Sequence, residues 1–244
     1  MVHTRLKLDN VLQHFAYSWW AYILLVGVMI FGWQMAYSAT EYVPPPEKTI
    51  HVTIVGDYVS NTVLEYYEQK AYEEFPEMES IIFENIPLSL AGEGDYSGYT
   101  KLSVVIAVGE GDVYLMNKEL LTSFSTMQAF KPLDDEVAPG GSLYGVFSEE
   151  EIEAGTFVAE ETDGQEHVYG ISAARLYGLL NQGVDTRDLY IACTSYTGNE
   201  EYALKMIAWL GEQTQEEPPA WLDELEQLTG EELTEDGQTL PEIG

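Results

Sequence analysis

The chain has 244 residues, enough for one domain of ordinary size with appendages or for two small ones. It carries 42 acidic and 10 basic side chains, a formal net charge of -32, and its Lys and Arg residues are scattered singly. That excludes a general nucleic-acid binder, which needs clustered cations against phosphate. A hydrophobic share of 45%, with 12% aromatics, is too rich for a disordered chain. The lone cysteine, Cys193, excludes an internal disulfide framework and a cysteine-based zinc ribbon.

No charged residue occurs between Asp9 and Glu41, and Phe15 to Ala39 is almost wholly apolar or aromatic. At about 1.5 Å rise per residue, this run is long enough for a ~30 Å hydrocarbon core. Tyr17, Trp19, Trp20 and Tyr22 gather at one end, and Trp33 and Tyr37 at the other. Such sorting places amphipathic rings in both headgroup layers. The expectation is a transmembrane helix over 15–39 whose partner is the lipid bilayer. Arg5 and Lys7 precede it, while 41 acids and 8 bases follow. The positive-inside bias therefore puts residues 1–14 in the cytoplasm and the bulk of the chain outside the cell membrane. A cleaved signal peptide is the alternative, with Ala36 and Ser38 as small residues ahead of a cut before Ala39.

Pro44, Pro45 and Pro46 predict an extended polyproline stalk within 40–48. Ile50, Val52 and Ile54 alternate with polar residues as in a strand, closed by Gly56 and Asp57. A helix follows, with Thr62 and Glu65 as a capping box, Val63, Tyr67 and Ala71 on one face, and Pro76 beyond its end. Ser80 to Ile86 is the second strand. Tyr99, Leu102, Val105 and Ile106 have helical spacing, with Gly109 as C-terminal cap. Asp112 to Met116 is a third strand, and Asn117 caps a helix whose apolar face is Leu120, Leu121, Phe124 and Met127. This alternation points to a mainly parallel sheet flanked by helices.

Pro139 to Gly145 is a glycine-rich loop, and Asp163-Gly164 is a hairpin turn between Thr156–Glu161 and Gln165–Ile171. Arg175 to Gly183 has no decisive period. Leu189 to Thr194 reads as a buried strand. Asn199 caps a last helix that turns Ala203, Met206, Ile207 and Leu210 inward, with Gly211 near its end. Ile54, Ile82, Leu115 and Ile191 are expected side by side in the sheet. From Thr214 the chain has ten acids and no base, a solvated tail over 214–244. Within it, Pro219 to Gly230 has the pattern of a short helix.

The run from Ile50 to Asp135 resembles the N-terminal lobe of the extracellular solute-binding proteins of bacterial ABC transporters. The matching pieces are IHVTIVGDY, EQKAYEEFPEMESIIFE, YTKLSVVIAVGEGDVYLMN and AFKPLDDE, in that order. GQEHVYGISAARLYGLLNQG resembles the family's crossing segment, with Ser172 where the family has proline. DLYIACTSYTGNEEYALKMIAWL resembles its return segment. In the family a second lobe separates those two segments; here they nearly touch, at Gly183 and Asp188. The resemblance implies an α/β fold of one periplasmic-binding-protein-like lobe over 49–213, behind a membrane helix, with the other lobe missing. It also implies a transporter subunit as membrane partner.

No catalytic motif stands out. The sequence has no G-x-S-x-G elbow and no phosphate-binding loop. His51 and His167 lack metal-site spacing, so no metal and no cofactor is expected. Asp134-Asp135-Glu136 does not form an EF-hand pattern. Cys193 reads as inert core. Tyr58, Tyr96 and Tyr99, near strand ends and loops, are the candidate ligand-stacking residues. The composite expectation is a membrane-tethered, non-enzymatic interaction module that docks a transporter or envelope partner. The alternatives are a solute receptor whose cleft another chain completes, and a hydrolase.

Overall fold

The computed structural model describes residues 8–40, 42, 44–88, 96–157, 167–195, 197–212 and 216–222. It divides into two compact units, Met1–Val43 and Pro44–Gly244. The first contains one helix, α1 (Leu8–Thr40). Within it, Trp19–Thr40 is an apolar span of 22 residues, exposed throughout among the described residues. That length corresponds to about 33 Å of helix. Arg5 and Lys7, which carry the orientation argument, lie outside the described residues.

The second unit opens with Pro45 in polyproline geometry, φ -63° and ψ 145°, and a single 3-10 turn over Pro46–Lys48. The third proline thus starts a turn instead of extending the stalk. It leads into β1 (Thr49–Gly56), α2 (Asn61–Glu74) and β2 (Ser80–Pro87). Next come α3 (Tyr96–Val108), β3 (Val113–Asn117), α4 (Lys118–Ser125) and α5 (Asp134–Val137). The remainder is α6 (Glu149–Gly155), β4 (Thr156–Phe157), β5 (His167–Val168), β6 (Ile171–Ser172), α7 (Tyr177–Asn181), β7 (Leu189–Cys193) and α8 (Glu200–Gly211).

The main sheet has the order β2-β1-β3-β7-β6. β1 runs parallel to β2 and β3, whereas β7 is antiparallel to both β3 and β6. It is a mixed, mostly parallel sheet with helices on both faces. Ile54 pairs with Leu115, and Leu115 with Ile191, as expected. Ile82 does not join them; it pairs with His51, while Ile54 faces Asn85. The run Ile81-Ile82-Phe83 has no alternation to reveal which residue points inward, and Ile81 and Phe83 are the buried ones.

Several local readings change. The Thr62–Glu65 capping box does not form, because α2 begins two residues earlier, with Ser60 as N-cap and no side-chain cap bond. Asn199 is the N-cap of α8 but does not cap with its side chain. Its amide donates instead to the Thr49 carbonyl at 2.6 Å, tying α8 to the start of β1. Met127 lies past the end of α4 and is 64% exposed. Asn117 does cap α4, its Oδ1 accepting the Leu120 N–H at 2.9 Å. Gly109, at φ +71°, ends α3, and the Glu110 N–H reaches back to the Val105 carbonyl.

β4 and β5 form a separate antiparallel pair, Phe157 opposite His167. The Asp163-Gly164 turn lies outside the described residues, as does the chain beyond Leu222, including most of the Pro219–Gly230 segment.

Candidate binding site

The first three strands of the sheet end on one edge, at Gly56, Pro87 and Asn117. Open α/β sheets receive ligands outside the carboxyl ends of their strands. β7 starts there too, since Leu189 pairs with Asn117. The loop that carries Tyr58 leaves β1 at this edge and is clasped by Asn85. The Asn85 amide donates to the carbonyls of Ile54 and Asp57, at 3.0 and 3.1 Å, and its Oδ1 accepts the Val59 N–H at 3.1 Å. Tyr58 is thereby held on an ordered backbone with its ring 73% exposed.

The opposite wall is the short link from α7 to β7. Gly183 takes φ +81°, and the link is closed by an ion pair between residues two apart. The Arg187 guanidinium donates to both Asp185 carboxylate oxygens, at 2.9 and 2.5 Å, and the Arg187 N–H donates at 3.2 Å. These hydrogen bonds hold the Asp185 carboxyl below the usual aspartate range. Between the walls is a cavity of about 70 Å³, lined by Gly56, Asp57, Tyr58, Val59, Gly183, Val184, Asp185, Leu189 and Ile54. Small-molecule sites usually measure about 300–1,000 Å³.

A larger hollow lies elsewhere. Between α3 and the end of α4 a groove of about 780 Å³ is lined by Tyr99, Ile106, Val108, Phe124, Met127 and Ala129, with Pro46 and Thr197 also on its wall. Tyr99 stacks on Phe124, ring centroids 5.9 Å apart at 27°, and remains 39% exposed. Tyr96, the first residue of α3, is 80% exposed and lines neither cavity. The three candidate tyrosines therefore do not share one cavity: Tyr58 belongs to the carboxyl edge and Tyr99 to the groove.

The titratable groups inside the lobe serve the fold. Asp112, 3% exposed, accepts the His51 N–H through Oδ2 at 2.8 Å, and its own N–H donates to the His51 carbonyl at 3.0 Å. Burial pushes its carboxyl above the usual range, opposed by hydrogen bonds from the His51 backbone and the Thr197 side chain. His167 Nδ1 lies 3.1 Å from Asp134 Oδ2, which joins the β5 segment to α5. The Lys131 ammonium lies 2.9 Å from Glu136 and 3.7 Å from Glu200. The Ser142 hydroxyl and Lys131 hold the Glu136 carboxyl low. Burial pushes the Cys193 thiol up to about 12, so it remains an unreactive core group. Among the described residues no group of three His, Cys, Asp or Glu side chains is gathered for a metal ion.

The sequence reading missed Asn85, Asp112 and the Asp185–Arg187 pair. Asn85 left a faint signal: an amide inside a strand is a poor strand former and needs partners.

No family model matches the chain, and no curated protein is found to be similar. Among solved structures, it is similar to an extracellular solute-binding protein family 1 member from Alicyclobacillus acidocaldarius. The identity is 19% and the TM-score 0.36, over 57% of this chain and 33% of that one. It is also similar to an N-glycan transport solute-binding protein from Streptococcus pneumoniae, at 20% identity and TM-score 0.33, over 50% and 24%. A third is maltose-bound MalE3 of T. maritima, at 16% identity and TM-score 0.34, over 51% and 28%. The chain spans a third or less of the length of these proteins.

Proposed function

We propose that the chain is a membrane-tethered, extracytoplasmic, non-enzymatic binding module that docks a membrane partner, a transporter subunit or another envelope component. The observation that carries this reading is the closed link at the carboxyl edge. In the family that the sequence resembles, a second lobe enters where Gly183 approaches Asp188. Here the link is a short turn locked by Arg187 on Asp185, and it leaves a cavity of about 70 Å³. One wall of that size cannot enclose a sugar or peptide, because tight sites bury about 70–90% of the ligand surface. The tether is α1, whose exposed apolar span is long enough for a bilayer.

A second reading rests on Tyr58. Its exposed ring, on a loop fixed by Asn85, would serve as one wall of a solute site completed by another chain. Affinity purification of the full chain from solubilised membranes separates the two. Co-purified transporter or envelope subunits support docking. Micromolar binding of a free sugar, amino acid or peptide to the isolated full chain, read by calorimetry, overturns it. Topology is checked on intact cells: protease should reach a tag at Gly244 and spare one at Met1. A mature chain beginning at Ala39 would replace the anchor with a cleaved signal.

A further inference from the structure

The lobe distributes its charge unevenly. Residues 96–133, which build α3, β3 and α4, hold three bases (Lys101, Lys118, Lys131) and three acids (Glu110, Asp112, Glu119). The rest of the chain beyond Thr40 holds 38 acids and 5 bases. All of the net negative charge therefore lies outside this segment. The 13 residues of α3 include no acid. The same segment exposes large apolar side chains: Val104 at 54%, Val108 at 60% and Met127 at 64%, beside the tyrosines at 96 and 99. Of these, Tyr99, Val108 and Met127 line the groove of about 780 Å³.

The second observation is the tether. Pro46 lines that groove, and Thr40 is the last residue of α1. Six peptide units at no more than about 3.6 Å each keep Pro46, on the groove wall, within about 22 Å of the end of the apolar helix. This holds for every orientation of the lobe. If α1 crosses a bilayer, the groove wall at Pro46 lies no farther than that from the outer headgroup layer. An anionic lipid surface repels the acidic remainder of the lobe over about a Debye length of 8 Å. The 96–133 segment, with three bases against three acids, carries no such net penalty, and its exposed tyrosines suit an interface that is apolar on one side and wet on the other.

We propose that the α3/α4 face rests on the outer leaflet of the bilayer that α1 spans, with Val104, Val108 and Met127 reaching into the boundary between headgroups and acyl chains. The occupant of the groove is lipid. This inference rests on the reading of α1 as an anchor. It makes the lobe a lodged module, presenting its acidic α2/α8 face outward.

The test uses the full chain in nanodiscs of phosphatidylcholine with anionic phosphatidylglycerol, at one copy per disc. Nitroxide labels are placed singly at Val108→Cys and Met127→Cys, with Glu65→Cys on the exposed side of α2 as the control. Cys193 is buried and does not compete for label. Relaxation enhancement is measured against a water-soluble nickel chelate and against oxygen. The expected result is several-fold shielding from the chelate at 108 and 127 relative to 65, with oxygen access retained. Equal chelate access at all three positions overturns the proposal while leaving the anchor intact. Shielding that appears only with two copies per disc overturns it in favour of a second copy. A chain that elutes without lipid overturns both the anchor and the proposal.

Discussion

The two faces of the sheet are built to different plans. On one, α2, α7, α8 and the loop through Leu133 and Leu143 bury a large cluster that includes Ile50, Val52, Leu115 and Ile191. Trp209 of α8 packs edge-on to Tyr67, Phe75 and Phe83, with centroids 6.4, 6.4 and 6.5 Å away. On the other face, α3 and α4 cover a smaller cluster around Leu102, Tyr114, Met116 and Phe124, and leave a groove open beside it. The first face completes its core with its own helices and turns acids to water. The second keeps apolar side chains in reserve on its outer surface. One face stabilises the lobe; the other has surface left to bury against something else.

The largest expected effect falls on the closed face. Trp209→Ala removes the ring that three aromatic neighbours pack around and should cost about 3–5 kcal/mol in urea denaturation. Phe124→Ala should cost less, nearer about 2–3 kcal/mol, because one side of Phe124 already borders the groove and no sealed cavity is created. Equal losses at the two positions would break the contrast between the faces.

Tyr114 sharpens it from inside. Its ring is fully buried, 5.8 Å from Phe130 and edge-on, and its hydroxyl has no hydrogen-bond partner among the described residues. Gly111 lies so close to the ring that a Cβ there would collide with the phenol. Burial raises the pKa of this phenol, so it stays protonated. Tyr114→Phe should raise stability by about 1 kcal/mol, since a buried unpaired hydroxyl is lost and nothing is left unsatisfied. A comparable loss on substitution would mean that the hydroxyl has a partner in solution.

Much of this architecture was legible in the sequence. The strands from Thr49, Ser80, Val113 and Leu189 and the helices α2, α3, α4 and α8 follow from period-2 and period-3.6 spacing with Gly109 and Asn117 as punctuation. What escaped was long-range. Strand direction is not encoded locally, so the antiparallel β7 could not be told from a parallel strand. Asn199 has the residue type of a cap, yet its side chain bonds to a carbonyl 150 positions away in sequence. The site was less legible than the fold. Tyr58 and Tyr99 read alike as exposed aromatics near loops, and only tertiary structure sends one to the carboxyl edge and the other to the groove. Charge neutrality of one face, likewise, emerges once α3 and α4 are known to lie together.

The smallest effect concerns the seam that joins the two faces, at the amino end of β1. Asp112 accepts the His51 N–H and sits beside Thr197, so its carboxyl is buried with partners on the backbone and on one side chain. Desolvation outweighs those bonds and lifts its pKa above the ordinary aspartate value. In the folded state the group therefore holds its proton to higher pH than in the unfolded chain. Its contribution to stability is fully present below the ordinary aspartate pKa and is lost as pH rises through the raised folded value. Asp112→Asn keeps an acceptor for His51 and a donor for Thr197 but has no proton to lose. The variant should match the parent at pH 3 and exceed it at pH 7, by about 1 kcal/mol or less, with the difference opening between those limits. Denaturation midpoints measured across that range decide the sign. A variant that is weaker at pH 7 would show that the ionised carboxylate stabilises the seam, and that its hydrogen bonds outweigh its desolvation.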